Sequence, residues 1–189
     1  MKSPLIIAAL IAIITAPLQA DWQDEVTSRQ PDPSFLTIRP VHLSFQINWN
    51  GKINSGHMNM LFGREDDRYP SHFITQIYGA STGLARSLYP YDYSFTSFLK
   101  YDSYLPSMFT SLETTSKGRT DTSNWYGPTV RSRETFTPSR GGSGSKKKNS
   151  TFSFRKAPIY DFASALIYLR RLEMKTGEKA VIVVHPFAS

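Results

Sequence analysis

The chain is predicted to be mainly β, of the α+β class: an antiparallel sheet with one C-terminal helix packed on it. Three observations carry that prediction. Apolar and polar residues alternate over Leu43–Trp49 and again over Met58–Phe62, the period of two that sends successive side chains to opposite faces of a strand. A period near 3.6 occurs in one stretch, Phe162 to Leu172. After it, Lys179–His185 is apolar on both faces through Val181, Ile182, Val183 and Val184, which requires burial between the helix and another layer.

Taken in order, residues 2–20 have the form of an export signal: Lys2, an apolar run from Leu5 to Ala16, then Pro17-Leu18-Gln19-Ala20 before a mature start at Asp21. About a dozen apolar residues fall short of the roughly 20 that a helix needs to cross a bilayer. The sequence therefore predicts cleavage, no transmembrane span in the mature chain, and a periplasmic or envelope-associated protein. Cysteine is absent from all 189 residues, which excludes a disulfide framework and a lipid-modified cysteine. Residues 21–41 carry Pro31, Pro33 and Pro40 without periodicity and are expected to form a flexible leader. Residues 42–189 are expected to form a single sheet domain.

Leu43, Phe45, Ile47 and Trp49 share one side of the first strand, predicted to be half-buried; Asn50-Gly51 suits a hairpin turn with positive φ, and Met58, Met60 and Phe62 return. A third strand spans His72–Gly79, with either Phe73 and Ile77 or Ile74 and Tyr78 facing inward. Ala80–Leu88 reads as a short helical corner before Tyr89-Pro90. Tyr91, Tyr93 and Phe95 alternate again, a strand follows from Ser107 to Ser116, and Lys117-Gly118-Arg119 turns the chain. Trp125–Phe136 reads as one strand with an edge or bulge at Gly127-Pro128. Residues 137–150 hold Gly141, Gly142, Gly144 and three consecutive lysines, and are expected to be a disordered, solvated basic loop before Phe152 and Phe154 restart a strand. Asp161 is placed to cap the helix, with Phe162, Ala165, Leu166, Leu169 and Leu172 on its inward face and Gly177 at its end.

The segment YDFASALIYLRRLEMKTGEKAVIVV, Tyr160 to Val184, holds Asp161, Ser164-Ala165, Tyr168-Leu169-Arg170 and a Leu172-to-Gly177 spacing in that order. With a strand ending in Trp49 before Gly56, and ASTGLARSLYPYDYSFTSFL from Ala80 to Leu99, it resembles the bacterial exported family called domain of unknown function 3108. The resemblance covers most residues from Leu43 onward. It implies a strongly curved antiparallel half-barrel with the helix against its concave side, similar to periplasmic lipoprotein carriers, and brings no catalytic residues. Members continue with further strands, so the resemblance also implies a sheet incomplete at its C-terminus, with an open edge near Val181 that invites another chain.

The formal charge of +7 is local. Between Lys117 and Lys156 stand ten Lys/Arg against Asp121 and Glu134. Lys146, Lys147 and Lys148 are candidate contacts for envelope anions; nucleic acid is disfavoured as a partner by export. His42, His57, His72 and His185 show no metal spacing, Glu65-Asp66-Asp67 lacks the alternating ligands of a calcium loop, and no Gly-x-Ser-x-Gly elbow occurs. No cofactor, metal site or catalytic residue is expected. Trp49, Met58, Met60, Tyr91 and Tyr93 are the candidate ligand-binding residues, able to line a concavity for an acyl chain or lipoprotein segment. The competing reading makes them core filling. The expected class is a non-enzymatic binding protein, or a module that joins a partner through an open sheet edge.

Overall fold

The computed structural model describes residues 25–26, 38–51, 53–64, 66–139 and 144–185, so the predicted export signal and most of the predicted leader lie outside it. Eight strands are adjacent in the order in which they occur: β1 (Val41–Trp49), β2 (Ile53–Arg64), β3 (His72–Ser81), β4 (Tyr91–Lys100), β5 (Pro106–Thr115), β6 (Gly118–Tyr126), β7 (Thr129–Pro138) and β8 (Lys146–Ser153). Each neighbouring pair is antiparallel, and β1 and β8 are the two edges of a sheet that does not close into a barrel. Helix α1 (Gly83–Leu88) makes the corner between β3 and β4, as the sequence predicts. β9 (Ile159–Tyr160), helix α2 (Phe162–Arg170) and β10 (Val183–Val184) follow the sheet.

The turns explain the meander. Asn50 and Gly51 adopt φ of 49° and 69°, the left-handed values that match a tight hairpin to strand twist. Gly127-Pro128 is the reversal between β6 and β7 rather than a bulge in one long strand; proline has no N–H to give a ladder and so marks where pairing stops. The basic segment also differs from expectation. β7 runs to Pro138 and β8 begins at Lys146, so the three lysines lie on a strand opposite Phe136, Thr135 and Glu134 instead of in a solvated loop. Lysines at an open edge discourage further strand pairing.

Cross-strand register divides the sheet into two faces. One row runs Phe45, Met58, Gly79, Tyr93, Glu113, Thr120, Phe136, Lys146; the next runs Leu43, Met60, Ile77, Phe95, Ser111, Thr122, Glu134, Lys148. These rows belong to the inner face, which also carries the buried Phe73, Thr75, Leu99, Phe109 and Val130. Phe73 and Ile77 are thus the inward pair of β3. Ile74 is nonetheless 2% exposed on the other face, beside Phe98, whose ring meets Tyr69 at 4.6 Å.

Helix α2 packs on one end of the inner face. Ile167 joins Phe73, Leu99 and Tyr104, with Ile38 from the predicted leader packed against them. Tyr160, Ala165, Tyr168 and Leu172 form a second cluster, and Val130, Ile159 and Val183 a third that includes Val26 at its margin. Two residues of the expected flexible leader therefore contribute to the core. Burial of Lys179–His185 on both faces is met only in part: Val183 and His185 are buried while Lys179 and Val184 are exposed, and only Val183–Val184 is strand, paired in parallel with Ile159–Tyr160 outside the main sheet. The open edge expected near Val181 is therefore not an edge of the eight-stranded sheet.

The helix meets its predicted face only in part: of the five residues expected inward, Ala165 and Leu172 are buried in the core. Phe162, Leu166 and Leu169 are 38–41% exposed, whereas Ala163, Ser164, Ile167 and Tyr168 are buried. The cap sets this rotation. Ser164 N–H donates to Asp161 Oδ1 at 2.7 Å and Asp161 N–H donates to Ser164 Oγ at 2.9 Å, a reciprocal capping box whose side chains point into the protein. Residues 164, 168 and 171 then follow inward at helical spacing, and Arg171 lies over the Tyr104 ring at 5.1 Å. The helix ends at Arg170 rather than near Gly177, which instead occupies a later turn with φ of 87°.

Burial raises the Asp161 carboxyl above its ordinary range against the hydrogen bonds from Ser164, Ser97 and Ala163 that lower it. A raised carboxyl is most favourable to folding below its unfolded value, and that contribution is lost as pH rises through the folded value. Asp161→Ala is expected to cost about 1–2 kcal/mol in urea denaturation through loss of the cap. Asp161→Asn keeps an N-cap acceptor without the charge and should gain stability relative to the wild type between pH 4 and pH 7; a relative loss over that range would contradict the assignment.

Candidate functional site

All five candidate ligand residues fall on the inner face. Phe45 pairs with Met58 and Leu43 with Met60; Met58 pairs with Gly79, which pairs with Tyr93. Trp49 lies four residues beyond Phe45 on β1 and Tyr91 two residues before Tyr93 on β4, toward the end of the face remote from α2. Ser55 is the extra residue of a bulge in β2, so β1 keeps its alternation through to Trp49.

Burial grades across the group. Met60 is 8% exposed and belongs to the core, Met58, Tyr91 and Tyr93 are half-buried, and Trp49 is 68% exposed. Around Trp49 the apolar side of β1 is uncovered as well: Val41, Leu43, Phe45 and Ile47 are 37–45% exposed, as is Ile53 across the hairpin. The predicted half-buried strand is therefore exposed, because among the described residues no second layer lies over β1. Alternation fixed its face but not its cover.

From this open end an aromatic ladder descends toward the core. Tyr91 and Tyr93 stack at 5.5 Å, Tyr93 and Phe95 lie 5.1 Å apart, and Phe95 reaches the buried Phe109 at 6.1 Å. Two devices hold it. The Tyr91 hydroxyl donates to Glu113 Oε2 at 2.6 Å, and burial followed by this acidic partner raises its pKa, keeping the phenol neutral. Gly79 makes room for the Tyr93 ring, since a Cβ there would lie 2.7 Å from Tyr93 Oη and closer still to the His57 carbonyl oxygen. Below the ladder, Thr75 Oγ1, Ser111 Oγ, Thr122 Oγ1 and Asn124 Oδ1 are buried without a hydrogen-bond partner among the described residues. Such buried groups are ordinarily satisfied by protein or ordered water.

The remaining candidates separate in space. Lys146 and Lys148 extend the inner face at the β8 edge, opposite Phe136 and Glu134, while Lys147 projects from the outer face opposite Thr135. His42 lies on the outer face, 3.3 Å from Asn59 Oδ1. His185 is buried among Tyr126, Phe152 and Phe154, 3.5 Å from Asn124, and burial lowers its pKa. Among the described residues no three His, Cys, Asp or Glu side chains gather as a metal-binding group. Asp161 is engaged as a helix cap, as above. Sequence reasoning missed Glu113, Gly79 and Phe109 as parts of the site. Alternation on β5 puts Met108, Thr110, Leu112 and Thr114 on one side and Phe109 and Glu113 on the other, and does not by itself say which side faces inward.

Gly79→Ala is expected to destabilise the fold by about 1–3 kcal/mol, the usual cost of overpacking. Adding Tyr93→Ala should not rescue it, because the nearest obstruction is the His57 backbone; thermal denaturation of the single and double variants checks this.

A family model described as protein of unknown function (DUF3108) matches residues 44–187. No curated protein and no solved structure matches the chain. Spanning the sheet, the aromatic ladder and the capped helix alike, that match places the chain in the DUF3108 family.

Proposed function

We propose that the chain is a non-enzymatic, exported binding protein of the cell envelope, whose inner face receives an apolar ligand such as an acyl chain or a lipoprotein segment. The observation that carries this reading is the uncovered apolar strip of β1 beside Met58 and the Tyr91–Tyr93 stack. Six large apolar side chains at 37–68% exposure leave apolar surface on the order of several hundred Å², at the upper end of what a monomer normally shows to water. Methionine and aromatic side chains adapt to chains of varied shape without demanding polar partners. One carboxylate lies in the cross-strand row of Phe45, Met58 and Tyr93: Glu113, which accepts from Tyr91. No helix among the described residues is long and apolar enough to cross a membrane, and export rests on residues 2–20.

A second reading is favoured by the β1 edge. Val41–Trp49 carries no Lys, Arg, Asp or Glu and offers a free row of backbone donors and acceptors, in contrast to the lysine-bearing β8 edge. A strand of a partner protein is able to add there, by the same geometry as peptide augmentation of a sheet.

Native mass spectrometry of the full chain, with titration by a fluorescent fatty acid, separates the two. The apolar-ligand reading expects one saturable equivalent, with Phe45→Ser and Met58→Ser each weakening binding about tenfold for the contact area removed. Absence of saturable binding by an intact fold would overturn it and leave strand addition.

A further inference from the structure

The outer face of β6–β8 carries a chemistry that the inner face does not share. Register places Trp125, Arg131 and Thr151 in one row, Ser123, Arg133 and Asn149 in the next, and Asp121, Thr135 and Lys147 in a third. Trp125, Arg131, Arg133, Asn149 and Thr151 line an open depression of about 390 Å³ on this face. Arg131, Arg133, Lys147 and Asn149 are exposed and Trp125 is half-buried. The one carboxylate in these rows, Asp121, is held by Arg119 at 2.8 Å. Three cations therefore face solvent across two adjacent strands with no acid of their own in the rows.

The guanidinium of Arg133 lies over the Trp125 ring, 5.7 Å from its centroid. Stacking uses the flat face of the guanidinium and the π surface of the indole. The N–H donors in the guanidinium plane stay free for an oxyanion, and the flexible side chain is held in place before any ligand arrives. Asn149 and Thr151 add neutral donors beside it. Cations that accept phosphate, next to an indole of the kind enriched at membrane–water boundaries, form a surface for anionic head groups.

We propose that this outer face docks on an anionic lipid bilayer, with Arg131, Arg133 and Lys147 contacting head-group phosphates and Trp125 seated at the interface. The occupant follows from charge complementarity: the local excess of cations between Lys117 and Lys156 is displayed in part on this face, away from the apolar strip. The inner face stays open in the docked state, so the inference stands whether or not an apolar ligand binds there.

The test is co-sedimentation of the full chain with vesicles of phosphatidylcholine alone and with 30% phosphatidylglycerol, at increasing salt. Binding should require the anionic lipid, weaken as salt screens the charges, and shift Trp emission to the blue. Each cation near such a surface adds about fivefold to partitioning, so the triple variant Arg131→Gln/Arg133→Gln/Lys147→Gln should lose about a hundredfold. A charge-matched control, Lys100→Gln/Lys175→Gln/Lys179→Gln, changes exposed lysines elsewhere and should lose far less. Trp125→Phe should abolish the emission shift while keeping most of the charge-dependent binding. Equal binding to neutral vesicles, equal losses in the two triple variants, or tighter binding to a duplex oligonucleotide than to anionic vesicles at the same salt would overturn the proposal.

Discussion

Helix α2 covers one end of a sheet that it is too short to span. Nine residues of helix extend about 13 Å, whereas eight strands at their usual spacing reach about 34 Å from edge to edge. Where the helix and the β9 and β10 segments lie, the inner face is a closed core: Phe73, Leu99, Tyr104 and Ile167 in one cluster, Val130, Ile159 and Val183 in another. Beyond their reach the same face continues with residues of the same apolar character and, among the described residues, no cover. The division of the inner face into a structural half and an open half follows from this difference in length.

The position of the helix depends in turn on the buried capping box. Asp161 and Ser164 satisfy each other's backbone donors while turned into the protein, so the polar side of the helix start meets the sheet and the apolar stripe of Phe162, Leu166 and Leu169 is left outside. The exposed helix stripe and the exposed side of β1 are two consequences of one arrangement in which apolar surface is distributed beyond what the core can use. The opposite face of the sheet holds the apolar Ile74–Phe98–Tyr69 patch and, over β6–β8, exposed cations. One layer thus separates the apolar strip of β1 from the cations of β7 and β8.

Much of this architecture was legible in the sequence. Alternation over Leu43–Trp49, the Asn50-Gly51 turn and the corner at Ala80–Leu88 each depend on local geometry, and each was read correctly. Asp161 as a cap was equally legible, because N-cap chemistry is local. What failed were readings that need to know the neighbour. Burial of β1 depends on a covering layer that period-two patterning does not report. The helix stripe holds for Ala165 and Leu172 but not for Phe162, Leu166 and Leu169, because hydrophobicity alone sets a stripe, whereas here buried Asp161, Ser164 and Arg171 share the inward side. Lys146–Lys148 looked like loop on composition, yet cross-strand partners at Phe136, Thr135 and Glu134 hold them in β8. The candidate residues Trp49, Met58, Met60, Tyr91 and Tyr93 share a face because period-two spacing and hairpin register are both local rules. Their support from Gly79 and Glu113 arises across strands and was not legible.

Strand-resolved hydrogen exchange on the free chain tests most directly whether half of the inner face is uncovered. With β1 lacking both an outer neighbour and a covering layer among the described residues, its amides should exchange about a hundredfold faster than those of β4 and β5, and slow on addition of a saturating fatty acid. Protection of β1 equal to that of β4 in the free chain, unchanged by ligand, would contradict the account.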